Sequence, residues 1–234
     1  MSLPVGFPVP DWTPRPRPST DAMVGRTCRV ERLDVDRHAA DLFAADSLDR
    51  EGVSWTYLPY GPFATLDAYR AWVKDVAGRD DPCFHAIVDA ATDKPAGVAS
   101  YLRIDPAAGS IEVGHIHYSP KLQRSIAATE AMYLMMKRAF ELGYRRYEWK
   151  CHALNAASRA AAQRLGFSYE GIFRQARVNK GRNRDTAWYA CIDGEWPALD
   201  RAFRTWLDPS NFDANGRQRT RLSALTAPIL VARG

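Results

Sequence analysis

The sequence predicts a single α/β domain in which helices cover a mixed sheet. Seven segments have the alternation and composition of strands, and they are interspersed with segments whose apolar residues recur at helical spacing. Their order, β-α-α-β-β-β-α-β-α-β-β, begins as an antiparallel meander. It continues through a helical crossover, which joins parallel strands. Where a parallel neighbour meets the meander, two strands can diverge and leave a cleft.

The first half of the chain accounts for the meander and two helices. Residues 25–33 alternate as a strand does, and residues 37–50 have helical spacing. The stretch 55–65 holds two prolines and a glycine and predicts a loop, after which Thr65 N-caps a helix over 66–78. Three further strands are predicted, at residues 84–90, 96–104 and 110–118.

The second half begins with the longest predicted helix, over residues 124–141, and Gly143 supplies its C-terminal stop. Residues 146–152 form the next predicted strand. Asn155 then caps a short helix that ends before Gly166. A hairpin and a last helix complete the domain, at residues 167–178, 184–192 and 196–207.

The two ends of the chain differ in composition from the middle. Six of the 15 prolines lie in the first 18 residues, so residues 1–22 are predicted as an extended arm without a core of its own. Residues 208–234 are predicted as a basic tail, which leaves 23–207 as the domain. The start of the chain is unlike a signal peptide, and no apolar run is long enough to cross a membrane. We therefore expect a cytoplasmic protein.

The charge balance of 32 basic and 27 acidic residues gives a formal net charge of +5 and suggests an anionic partner. Nucleic acid and a phosphorylated small molecule both fit, and basic residues cluster on the predicted hairpin over 174–184. The four cysteines form no CxxC pair and are interpreted as small buried apolar residues rather than zinc ligands or disulfides.

Residues 115–171 carry an ordered set of short motifs. The set consists of Tyr118-Ser119-Pro120 at a strand end, Gln123 to Ala128 at a helix start, Leu142-Gly143-Tyr144, Asn155, Ser158 and Leu165-Gly166-Phe167. In order and spacing it resembles the GNAT family of acyl-CoA-dependent N-acetyltransferases, and within it the RimJ/RimL-like branch. The resemblance implies a mainly antiparallel, twisted sheet with splayed central parallel strands.

The reaction implied by the resemblance moves an acetyl group from acetyl-CoA to a primary amine, which attacks the thioester directly and needs no metal. A helix N-terminus suits a pyrophosphate because its N–H groups are unpaired. The implied acyl-CoA contacts are the backbone of Ile116 and Tyr118, the turn Gln123, Arg124, Ser125, Ile126, Ala127 and Ala128, and the helix start at Asn155 and Ser158. Ile126 replaces the central glycine of the family's turn.

Three residues are predicted to handle protons. Glu112 matches the position of a glutamate base in several family members, and the alternative is an ion pair with Arg103 on the adjacent strand. By the period of two, His115 and His117 lie on the strand face opposite Glu112. Either histidine is a candidate to relay protons, and we predict His117 for this role. Ser158 matches a serine that RimL-like relatives keep, and it is the predicted acid because the family's usual tyrosine position is an alanine here.

The acceptor pocket is predicted from the aromatic loop, with Trp55, Tyr57 and Tyr60 beside Glu112. The acceptor is a protein N-terminus or a small amine, and another acyl group such as succinyl stays open. The alternative function is a non-catalytic acyl-CoA-binding or RNA-associated module. We expect neither nucleic acid nor membrane as a partner, whereas a homodimer stays open.

Overall fold

The computed structural model describes residues 3–234 and confirms the predicted fold class, with an open eight-stranded sheet between two layers of helices. The strands are β1 (Met23–Val24), β2 (Cys28–Arg32), β3 (Cys83–Asp89), β4 (Lys94–Asp105), β5 (Ser110–Tyr118), β6 (Arg146–His152), β7 (Ser168–Asn179) and β8 (Arg182–Ile192). The helices are α1 (Val35–Asp46), α2 (Leu66–Ala77), α3 (Ile126–Glu141), α4 (Ala156–Arg164), α5 (Trp196–Leu207) and α6 (Leu222–Thr226).

The strands lie in the order β1-β2-β3-β4-β5-β6-β8-β7. Neighbours pair antiparallel except β5 and β6, which are parallel, as the helical crossover through α3 requires. The predicted meander is β3-β4-β5, and the predicted hairpin is β7-β8. The parallel pair is therefore at the centre of the sheet, where the cleft was expected.

Each face of the sheet has its own apolar cluster. The larger cluster joins the sheet to α3, α4 and α5 and includes Ile111, Val113 and Trp149. The smaller one lies beneath α1 and α2 and includes Trp55 and Phe84. Consecutive residues of a strand therefore point into different layers. The layer that a side chain contacts thus shows whether the alternation of the strand is regular or shifted.

Local signals account for the helix ends. Thr65 accepts a hydrogen bond from Ala68 N, and Asn155 accepts one from Ser158 N, so both predicted N-caps are confirmed. Gly143 follows α3 with a φ of +84°, a conformation that favours glycine. α1 begins earlier than predicted because Asp34 caps it.

Both end segments contact the domain. Trp12 Nε1 donates to the Ala107 carbonyl at 2.8 Å, and the Arg15 guanidinium lies over the indole ring. In the tail, Thr226 of α6 donates to the Arg164 carbonyl at 3.0 Å. Residues 1 and 2 of the predicted arm are outside the described residues. Over residues 3–234, none of the helices has the length and apolar character that a bilayer span needs.

Candidate active site at the opening between two parallel strands

Strands β5 and β6 pair only along their first halves. Their register runs from Ser110 opposite Arg146 to Val113 opposite Trp149, and the described chain shows no pairing between them beyond that point. Ser119 N donates to the carbonyl of Ala96 on the β4 side. Since backbone groups alternate along a strand, those of Ile116 and Tyr118 point to the open edge. The Tyr118 carbonyl there accepts from Gln123 Nε2 at 2.9 Å.

A β-bulge interrupts β5 and corrects one prediction. Gly114 is opposite Ser100 and His117 is opposite Val98, so β5 uses three steps where β4 uses two. His115 takes up the extra residue with a φ of +51°. The side-chain alternation shifts by one, and both histidines contact the layer of α1 and α2, the layer that Glu112 also faces. The predicted opposite placement is therefore wrong.

A cavity of about 420 Å³ occupies the opening between the two strands. Among the predicted site residues, it brings together Tyr57, Glu112, Ile116, Asn155 and Ser158. Its walls come from β5, β6, the start of α4 and the β7–β8 hairpin. Ser54 and Tyr57 line it from the layer of α1 and α2, and Asn155 and Ser158 line it from the layer of α4, which suits two reactants that meet at one bond.

Glu112 is ion-paired, which is the alternative considered for it. One carboxylate oxygen accepts from Arg103 Nε at 2.6 Å, and the other oxygen accepts from the Nη2 of the same guanidinium. Lys150 Nζ lies 2.9 Å from Glu112 and 2.6 Å from Glu148. The side chains of Glu112 and Lys150 are only 2% and 6% exposed. Both oxygens of the Glu112 carboxylate are therefore engaged by cations, which makes it an electrostatic anchor at the cavity wall.

His117 is part of a second polar chain, beside the cavity. Its Nε2 is 2.8 Å from Ser54 Oγ, and its Nδ1 is 3.4 Å from a carboxylate oxygen of Asp46. The Ser54 hydroxyl donates to a carboxylate oxygen of Asp49 at 2.6 Å, and the Tyr69 hydroxyl donates to Asp46 at 3.0 Å. Ser54 lines the cavity. The Nδ1 of His117 and the facing oxygen of Asp46 make no hydrogen bond to each other or to any other group of residues 3–234, so the buried carboxylate is adjacent to this chain rather than bonded to it.

Burial changes the proton affinity of both inner groups of that chain. Desolvation raises the pKa of Asp46 to about 7, against the opposing effect of the Tyr69 hydroxyl. Desolvation also lowers the pKa of His117 to about 4, so its imidazole is neutral at pH 7. A neutral imidazole between a hydroxyl and a carboxylate can pass a proton from one to the other.

Ser158 is at the third position of α4, facing the cavity. Its backbone N–H donates to Asn155 Oδ1, and its hydroxyl oxygen accepts from Trp149 Nε1, both at 3.0 Å. Because the indole occupies a lone pair of the oxygen, the hydroxyl proton is free to point elsewhere. The arrangement presents an O–H donor at the mouth of the opening.

The turn before α3 is arranged for an anion only in part. Ser125 Oγ caps Ala128 N at 3.0 Å, so Ile126 and Ala127 keep the first-turn N–H groups without an intrahelical acceptor. Arg124 is exposed and has a φ of +59°. Gln123 is also exposed, although its amide is tied to Tyr118.

The aromatic loop reaches the cavity through Tyr57 alone of its three predicted residues. Trp55 is 2% exposed and stacks on His117 with ring centroids 3.6 Å apart. The Tyr60 hydroxyl lies 3.0 Å from Nδ1 of His115. The structure therefore puts Trp55 and Tyr60 behind the wall, because large rings gain more by packing together than by lining a polar cavity.

Several cavity residues had no assigned role in the sequence analysis. Ser54 gave no signal, since a serine in a loop is ordinary. Lys150 is polar between Trp149 and Cys151, and this alternation could have marked it as facing the other layer. Of the basic residues in the predicted hairpin, Arg177 and Arg184 line the cavity. No group of three or more potential metal ligands occurs within residues 3–234.

A family model described as an acetyltransferase (GNAT) domain matches residues 29–168. A GCN5-related N-acetyltransferase from Brucella melitensis is 47% identical, with a TM-score of 0.92 over 94% of this chain and 100% of that one. A probable GNAT-family acetyltransferase from Chromobacterium violaceum is 41% identical, with a TM-score of 0.78 over 84% and 98% of the two chains.

A more distant structure has the same fold. This acetyltransferase of Salmonella typhimurium, described as modifying the N-terminal serine of ribosomal protein L7/L12, is 22% identical, with a TM-score of 0.62 over 74% of this chain and 99% of that one. No curated protein matches the chain.

Proposed function

Because the chain belongs to the GNAT family of acetyltransferases and is an acyl-CoA-dependent N-acetyltransferase, we propose that it acetylates a primary amine inside the cavity at the β5–β6 opening. The observation that carries the proposal is the end of pairing at Val113 and Trp149, because it exposes a strand edge next to a hydroxyl donor and a proton relay. The amine is a protein N-terminus or a small molecule.

The residues suited to hold acetyl-CoA surround the open edge. The free backbone groups of Ile116 suit the amides of the pantetheine arm, and Asn155 is close to the same opening. The first-turn N–H groups of Ile126 and Ala127 suit the pyrophosphate, with Arg124 adding charge. Bound acetyl-CoA supplies the thioester that the amine attacks.

The base in this proposal is the relay Ser54–His117–Asp46. When Asp46 is ionised, it favours the His117 tautomer with the proton on Nδ1, which leaves Nε2 as the acceptor once the Ser54 hydroxyl turns to it from Asp49. Ser54 in turn takes the proton of the attacking amine. The distance of 2.8 Å between Ser54 and His117 supports the first step, and the second step requires His117 Nδ1 and Asp46 to close from 3.4 Å into a hydrogen bond.

Glu112 has a different part in the proposal. Its two oxygens are engaged by Arg103 and Lys150, so it orients these cations at the cavity wall rather than accepting the amine proton. The predicted base role of Glu112 is tested directly by Glu112→Gln, which keeps the shape and removes the charge. A variant with full rate across pH 6–9 excludes that role.

Ser158 is the proposed acid. The Trp149 indole fixes its oxygen, and the free hydroxyl proton can pass to the thiolate as the thioester breaks. The thiol leaves as CoA–SH, so the amine loses one proton and the sulfur gains one.

The experiment measures thiol release from acetyl-CoA over a panel that contains small amines, amino acids and peptides with a free N-terminus. We expect release with at least one acceptor class, and CoA binding by calorimetry. Absence of CoA binding would overturn the proposal. A salt-dependent affinity for RNA without any thiol release would favour the RNA-associated module instead.

A further inference from the structure

The inner face of β8 presents three side chains to the cavity. Thr186 is opposite His152 and Trp188 is opposite Lys150 in the antiparallel ladder, so they share the face of Lys150. Arg184 is two positions earlier on the same face and lines the same cavity. Arg177 of β7, opposite Arg184, completes this surface. We call these four residues the β7–β8 wall.

Three hydrogen-bonding atoms of this wall are buried and have no partner within residues 3–234. They are Arg184 Nε, Thr186 Oγ1 and Trp188 Nε1. Thr186 as a whole is only 6% exposed. A buried donor without an acceptor is costly, and native proteins rarely keep several on one surface. All three can donate, so a bound group with several acceptor oxygens would satisfy them together.

The charges around the cavity also favour an anionic ligand. Its lining holds four cations, Arg103, Lys150, Arg177 and Arg184, but only one carboxylate, Glu112. Glu112 is already engaged by Arg103 and Lys150. The two arginines of the β7–β8 wall therefore have no ion pair among the described residues.

The neighbouring titratable groups do not compensate for this charge. Burial, together with the charges of three nearby arginines, lowers the pKa of His115 to about 4. Burial, followed by the charge of Arg177, lowers the pKa of Arg184. Arg184 is thus a desolvated cation beside like charges, and an anion would relieve both costs.

We propose that the β7–β8 wall binds a carboxylate carried by one of the two reactants. The proposal rests on acyl transfer in this cavity and goes beyond it by naming the chemistry of a reactant. A carboxylate has two oxygens in one plane, which match a guanidinium fork, and enough lone pairs for Thr186 and Trp188. It is carried either by the acceptor, as in an amino acid, or by the acyl group, as in succinyl-CoA.

Matched ligand pairs separate these two sources. In the acceptor arm, β-alanine and β-alaninamide are titrated into the protein saturated with CoA. In the acyl arm, succinyl-CoA is compared with butyryl-CoA, which has the same chain length without the charge. Binding is measured by calorimetry, and transfer is then measured with the same pairs, so the binding result stands even if no transfer occurs.

We expect the charged member of one pair to bind about 10- to 100-fold more tightly than its neutral counterpart, as charge-assisted hydrogen bonds allow. Arg184→Met and Thr186→Val should each reduce that preference. Arg182→Gln is the matched control, since Arg182 lies on the same strand and outside the cavity lining.

Equal binding of charged and neutral members in both arms would overturn the proposal. An equal loss of the carboxylate preference in Arg182→Gln would also overturn it. The preference would then come from the overall positive charge of the hairpin rather than from a specific site. Transfer to neutral amines that proceeds without any carboxylate preference would leave the acetyltransferase proposal intact and reject the carboxylate site alone.

Discussion

The ion-pair network on β4, β5 and β6 and the β7–β8 wall both hold cations at one cavity, but they differ in what those cations contact. The network (Arg103, Glu112, Glu148 and Lys150) alternates charges at distances that leave each one neutralised. The β7–β8 wall has donors without acceptors among residues 3–234. The comparison teaches that buried charge by itself does not mark a ligand site, whereas buried charge without a counter-charge does.

Lys150→Met should break the network with the largest effect. The variant leaves Glu112 and Glu148 buried with one cation fewer, so the free energy of unfolding should fall by about 3 kcal/mol. Urea unfolding measures it, with Lys137→Met as the control because Lys137 is in an exposed pair with Glu141. A loss below about 1 kcal/mol would mean that the network is not a structural anchor.

His117→Phe tests the side of the cavity that handles protons rather than fixed charge. The ring can still stack on Trp55, but both nitrogens are gone, so kcat/KM should fall about 100-fold. His85 is a matched control, since it is a buried histidine whose nitrogens have no partner in residues 3–234. An equal loss of activity in His85→Phe would show that the effect is structural.

The pH dependence of the transfer rate tests the same proton relay. Burial raises the pKa of Asp46 to about 7, and the relay needs the ionised form. The rate should therefore rise with pH to a plateau above pH 7, be half-maximal near pH 7 and be about tenfold below the plateau one unit lower. Asp46→Asn should show a low rate without this rising limb. An unchanged limb in the variant would assign it to another group.

Ser158→Ala should have a smaller effect, about tenfold on kcat, because water can replace a hydroxyl acid in part. Ser158→Thr keeps the hydroxyl and should recover most of the rate. Initial rates of thiol release with the best acceptor give both values. If both variants lose the same activity, the acid is elsewhere and Ser158 serves only the packing of Trp149.

Arg184→Met tests whether the β7–β8 wall contributes to stability, and its expected effect is the smallest. Removing a cation that has no ion pair should alter the free energy of unfolding by less than about 1 kcal/mol, in contrast to Lys150→Met. Urea unfolding without ligand measures it. A loss as large as that of Lys150→Met would show that both surfaces are structural.

Much of the fold could be predicted because its signals are local. The N-caps Thr65 and Asn155 and the glycine stop at Gly143 each act within a few residues, and the elements they delimit are confirmed. The β6 strand was predicted with its observed bounds, 146–152. The site was harder to predict, since its residues come from segments as far apart in the chain as Ser54 and Trp188.

The failures have definite physical causes. The bulge at His115 shifts the alternation of side chains along β5 by one residue, and no local sequence pattern in the strand indicated it. Trp55 was predicted at the acceptor pocket from its type, yet packing against His117 buries it. Ser54 acquires its place only because its loop folds over β5.

The sequence by itself determined the order of the elements from β2 to α5, the helix caps Thr65 and Asn155, the basic hairpin and the family, but it missed β1 and α6. Those properties depend on local hydrogen bonding, on hydrophobic periodicity and on short motifs. Only the tertiary structure decided that Glu112 is ion-paired with Arg103 and Lys150 and that Arg184 has no ion pair within residues 3–234. Pairing of charges depends on the register of distant strands, and that register is set by packing across the whole sheet.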